Sequence, residues 1–104
     1  MAKPALPWLT KLCKLYEKHD RSVYETTVTP HADGILIGFE LDRGHAQLLV
    51  HRKGSSARYA ETASFCVSIF NAQSLPGNGE LVIRQFINVL NRADKGDIVL
   101  QGSR

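Results

Sequence analysis

Four histidines and two cysteines are the residues of this chain best suited to chemistry. Neutral imidazole and thiolate are common metal ligands, and near neutral pH they serve as base and nucleophile. Their spacing argues against both uses. His45 and His51 share a strand parity but would stand roughly 20 Å apart in an extended chain, beyond the reach of one ion. His19 and His31 fall in different predicted elements. Cys13 and Cys66 have no CxxC spacing, and without a secretory context they read as buried thiols rather than as a bridge. A Cys-His nucleophile would also need a donor aimed at the oxyanion. Cys66 instead lies between Ser64 and Ser68 on one strand face, and Cys13 lies inside an amphipathic helix. No family signature surrounds either. The expectation is therefore no catalytic residue, no metal ligand and no cofactor.

Anion chemistry has two candidate carriers. The run Leu75-Pro76-Gly77-Asn78-Gly79 precedes a helix, whose first amides could face a phosphate. It lacks the Walker-type lysine and the two-glycine spacing of dinucleotide sites, so it reads as ordinary helix entry. Arg43, Arg52, Lys53 and Arg58, with His51, gather near one hairpin end and form the set a nucleic acid would contact. Aromatic residues to stack on bases are scarce there, leaving mainly Tyr59. The net charge of +3 is a small excess and selects no partner. Lys11, Lys14 and Lys18 form a row that reads as a solvated helix face.

The elements that must position these residues follow from periodicity. Pro4 to Asp20 reads as a helix opened by Pro7, with Trp8 or Leu9, Leu12, Leu15 or Tyr16, and His19 on one stripe. Ser22 to Thr29 is rich in β-branched residues and reads as a strand, ended by Pro30-His31-Ala32-Asp33-Gly34. Ile35 to Arg52 reads as a hairpin, since Ile35, Ile37, Phe39 and Leu41, then Ala46, Leu48 and Val50, alternate with more polar residues. Its expected register sets Leu41 against Ala46, Phe39 against Leu48 and Ile37 against Val50, through a four-residue loop from Asp42 to His45. After the turn Lys53-Gly54-Ser55-Ser56 comes a fourth strand within Tyr59 to Phe70, strongest from Phe65. A bulge or late start would keep Glu61 from pointing inward, and residues 57–63 could instead form a helical turn. Gly79 to Asp94 reads as the second helix, with Leu81 or Val82, Phe86, Val89 or Leu90, and Ala93 buried. Asn78 is its candidate N-cap and Gly96 its terminator. Asp97 to Gln101 either adds a short strand or packs its apolar residues.

These elements predict a single α+β domain over residues 1–104, a two-layer sandwich in the order α-β-β-β-β-α, with an antiparallel four-stranded meander and both helices on one side. No apolar run is long enough to span a bilayer, and no secretory signal opens the chain, which suggests a cytoplasmic location. With the helices on the Phe39 side, the other sheet face would show Leu36, Gly38, Glu40, Gln47, Leu49 and His51, with Cys66 and Phe70. Glycine beside leucine there would admit another surface. The function expected from the sequence is a non-catalytic protein-binding or adaptor module, meeting a protein partner or forming a homodimer through that face. The first alternative is a nucleic-acid-binding module using the basic hairpin end. The second is a small ligand carrier or enzyme, whose sign would be a pocket with a perturbed titratable group.

Overall fold

Strand periodicity puts every second residue of the central hairpin on one side. In the structure Ile35, Ile37, Phe39, Leu41, Ala46, Leu48 and Val50 are all buried. The computed structural model describes residues 6–42, 44–52, 60–62, 64–70 and 77–98, with Arg52 and Phe70 described by backbone alone. Helix α1 (Leu6–His19) leads into β1 (Val23–His31), β2 (Gly34–Leu41), β3 (Gly44–Arg52), β4 (Ala60–Glu61) and β5 (Phe65–Phe70), and α2 (Gly79–Asp94) follows. The strands form one antiparallel sheet in the order β1-β2-β3-β5-β4. Both helices contribute to the single core cluster on the Phe39 side, which makes an α+β two-layer sandwich.

Among the described residues the sheet has five strands, and its outermost position is out of chain order, so the four-stranded meander is corrected. Thr62 accounts for the extra strand. Its hydroxyl accepts the Phe65 N–H at 3.1 Å, and its own N–H donates to the Phe65 carbonyl at 2.9 Å. These bonds tie Thr62 to Phe65 between β4 and β5, which pair with each other. Glu61 thereby ends on the exposed edge, the late strand start that its charge requires.

The hairpin register also differs from expectation. Leu41 pairs with Gly44, Phe39 with Ala46, Ile37 with Leu48 and Ile35 with Val50, which leaves two residues between the last paired positions. The shift is two residues, so every apolar side chain stays on the same face. Burial alone cannot tell the two registers apart. Gly44 decides it: the closing position holds φ at 118°, a conformation that costs glycine little and other residues more. β1 likewise runs through Pro30 and His31, where a break was expected. Proline is tolerated because β1 is an edge strand and no ladder bond is lost. The next turn closes at Gly34, where a Cβ would collide with the Val50 carbonyl oxygen.

Helix α1 buries Leu9, Leu12, Cys13 and Tyr16, while His19, expected on that stripe, is exposed. Helix α2 has the expected bounds and buries Val82, Phe86, Leu90 and Ala93, leaving Leu81 outside. Asn78 makes no side-chain cap bond. At the other end Gly96, at φ 85°, donates to the Ala93 carbonyl, and Asp97 donates to that of Arg92. The two bonds form a Schellman motif. Tyr16, Phe39 and Phe86 meet edge to face, with centroids 5.1–6.1 Å apart, and join α1, β2 and α2. Ile98 packs against this core, whereas residues 99–101 of the proposed last strand and residues 57–59 of the helical-turn alternative lie outside the described residues.

Candidate functional site

The sheet face turned away from the helices holds most of the expected interface, and its accessibility varies across the strands. On β1 and β2, Thr27, Thr29 and Glu40 are exposed, and Leu36 and Gly38 are half-buried. On β3, Gln47 is half-buried, but Leu49 and His51 retain only 6% and 4% of their surface. Those two residues, expected to be accessible, therefore offer little to a partner. Gly38 pairs with Thr27, and a Cβ at position 38 would lie 2.6 Å from the Thr27 hydroxyl oxygen. The space left by the missing side chain is thus used within the sheet. Phe70 is placed by its backbone only, opposite Gln47.

Pairing of β3 with β5 brings together residues whose proximity the sequence does not reveal. His51 stands directly opposite Cys66 and hydrogen-bonds through Nε2 to the Ser68 hydroxyl at 3.0 Å. The Cys66 thiol donates instead to Glu61 Oε2 at 3.8 Å, and the residue has no exposed surface. The Cys66 sulfur thus has a carboxylate as its hydrogen-bond partner and is closed to solvent. The network satisfies polar groups that the sheet buries. Among the described residues no group of three His, Cys, Asp or Glu side chains is placed to hold a metal ion. His31 is occupied by its own turn, where Nδ1 accepts the Asp33 N–H at 3.1 Å. Cys13 is fully buried under α1, and burial pushes its thiol up to about 12, which keeps it protonated at neutral pH.

On the helix side, α1 and α2 leave a cleft of about 800 Å³ between them. The site begins at Tyr16, whose ring is held by Phe39 and Phe86 and whose hydroxyl donates to Asp20 Oδ2 at 2.6 Å, with the Val82 carbonyl also near at 3.1 Å. Burial first, and then the Asp20 carboxylate, push the Tyr16 hydroxyl well above the ordinary tyrosine range, so it remains a neutral donor. Burial works to raise the Asp20 carboxyl, but bonds from the Ser22 hydroxyl at 2.6 Å, from Tyr16 and from the Ser22 N–H at 3.0 Å outweigh it and hold the group below its usual range. This Asx turn ends α1 and fixes the path into β1.

Leu15, Val89 and Ile98, each half-buried, give the cleft an apolar lining. The exposed residues His19, Arg21 and Arg92 stand around it. Neither arginine has a carboxylate partner among the described residues. Asp20 offsets one positive charge, but its oxygens are taken by Tyr16 and Ser22. The arrangement can hold a group that is anionic at one end and aliphatic at the other. Comparison with known proteins gives no match: no family model fits the chain, and neither a curated protein nor a solved structure is significantly similar to it.

None of the expected site residues lines this cleft. Lys11, Lys14 and Lys18 are exposed, as a solvated face requires, although Lys14 pairs with Glu17 at 3.1 Å. Arg43, Lys53 and Arg58 lie outside the described residues, as do residues 71–76 of the helix-entry loop, and Arg52 is placed by backbone alone. A usable signal for the cleft did exist: Arg21 follows the end of one helix and Arg92 falls in the last turn of the other. Only the tertiary fold brings them to one opening.

Proposed function

We propose that this chain is a small non-catalytic binding module that holds an acidic, partly apolar partner between its two helices. The observation that carries the reading is the pair Arg21 and Arg92, beside an apolar cleft and without carboxylate partners among the described residues. Surface arginines usually find solvent or a neighbouring acid, and single exposed pairs contribute little. Two of them over aliphatic side chains offer an anion both charge and a site to bury its apolar part.

Thermal denaturation with amphipathic anions, set against cations of equal apolar size, tests the proposal. A ligand at about ten times its Kd stabilises a domain by roughly 1.4 kcal/mol, which raises Tm by roughly 5–10 °C in a chain of this size. Anions should raise Tm and cations should not, and the double variant Arg21→Glu, Arg92→Glu should abolish the rise. Equal shifts for both signs of charge, or a shift that survives the double reversal, would refute the reading.

A second reading is favoured by Leu36, the half-buried leucine of the other sheet face. A homodimer through that face predicts a concentration-dependent dimer in light scattering that Leu36→Lys dissociates while the fold survives. A monomeric wild type, or a dimer untouched by the change, removes it. The nucleic-acid reading requires retention on an oligonucleotide at low salt that Arg52→Glu with Lys53→Glu weakens.

A further inference from the structure

We infer that the occupant of the cleft is an acidic amphipathic helix presented by a partner polypeptide. This rests on the reading of the cleft as a binding site and adds what fills it. The first support is size. At about 800 Å³ the cleft has room for several side chains from one face of a helix, far more than a single carboxylate needs.

The second support is the form of the walls. Leu15 and His19 lie four residues apart on α1, and Gln85, Val89 and Arg92 follow spacings of four and three on α2. These are the ridge spacings that accept the side chains of another helix. The cleft is also bordered by exposed residues, His19 and Gln85 among them, instead of closing over its contents. Sites for small molecules enclose most of the ligand, whereas a groove for a helix covers one face.

Charge supplies the third support. Lys18 and His19 occupy the last turn of α1, where they offset its negative dipole end, and Arg21 follows. Arg92 faces the same cleft from α2. A helix carrying leucines at i, i+3 and i+7 with glutamates alongside would place aliphatic groups on Leu15 and Val89 and carboxylates at the arginines. A nucleic acid fits less well, because the aromatic ring of the cleft, Tyr16, is already packed edge to face against Phe39 and Phe86 and offers no stacking surface.

The experiment is an amide NMR titration of the full chain with four probes. They are a leucine-glutamate amphipathic peptide of about 15 residues, roughly 22 Å of helix, its leucine-lysine counterpart, dodecanoate, and a single-stranded oligonucleotide. The expected result is saturable binding of the acidic peptide, with dodecanoate binding more weakly and neither the lysine peptide nor the oligonucleotide saturating, and with shifts confined to the second halves of α1 and α2. Arg21→Glu with Arg92→Glu should weaken it at least about tenfold, the sum of two partly screened ion pairs, while Lys11→Glu, outside the cleft, leaves it unchanged. Dodecanoate binding as tightly as the acidic peptide would overturn the helix while sparing the cleft as an anion site. No binding by any anionic probe would overturn both. Equal binding of the two peptides, shifts on the bare sheet face, or tighter binding of the oligonucleotide would also overturn the inference.

Discussion

Phe86→Ala should cost the protein about 3–5 kcal/mol, the range for deleting a buried phenylalanine. Phe86 has no exposed surface and sits where α1, α2 and the sheet converge, 5.4 Å from the Tyr16 ring and 5.1 Å from that of Phe39. Its removal therefore forfeits apolar burial, two edge-to-face contacts and the filling of a space bounded by three elements that cannot all collapse into it. Domains of this size carry roughly 5–15 kcal/mol in total, so the variant stands near the limit of folding. The urea midpoint should fall by about 2 M or more at an unchanged slope. Phe86→Leu, which retains most of the apolar volume, should lose less than half as much. A loss of under about 1 kcal/mol for the alanine variant would mean that the core is not organised around this triad.

That triad was legible as separate halves. The 3.6-residue spacing of Val82, Phe86, Leu90 and Ala93 defines α2 together with its terminating Gly96, and Phe39 belongs to an alternation that could only be a half-buried strand. Both facts are local, and both stand in the structure. What was not legible depended on contacts between distant segments. The hairpin register slipped by two residues because such a shift preserves the apolar face, and only the backbone demand at Gly44 separates the alternatives. The split of the fourth strand turned on one threonine hydroxyl. The pairing of His51 with Cys66, and the opening between the helices edged by Arg21 and Arg92, arise from packing that no spacing rule encodes. Spacing arguments had no access to where Arg21 and Arg92 would converge.

Glu17→Ala should destabilise the fold by about 2–3 kcal/mol, because it leaves two donors of one buried residue without a partner. Thr26 on β1 is 4% exposed, and its N–H and hydroxyl donate to Glu17 Oε2 at 2.8 and 2.7 Å. The same oxygen pairs with Lys14 at 3.1 Å, and that ammonium lies 3.5 Å from the Thr26 carbonyl. The outward N–H and carbonyl of Thr26 on this edge strand are thus covered by side chains of α1, and Pro30, four residues on and of the same outward parity, has no N–H to offer. An uncovered edge invites pairing with another chain, so the alanine variant should associate more strongly with rising concentration than the wild type. The clamp carries a pH signature. Burial works to raise the Glu17 carboxyl, but the Thr26 hydroxyl, the Lys14 ammonium and the Thr26 N–H together hold it below its ordinary value. A depressed carboxyl contributes stability above its unfolded pKa, near about 4.3, and that contribution is lost as pH falls through the lower folded value. Glu17→Gln keeps an acceptor and gives up the charge. At pH 7 it should be less stable than wild type by about 1 kcal/mol, and the gap should close on acidification as the wild type loses its ionised clamp. Denaturation curves at matched pH decide it: a gap that holds constant into acid, or widens there, would show that the carboxylate charge is not what locks α1 onto the strand.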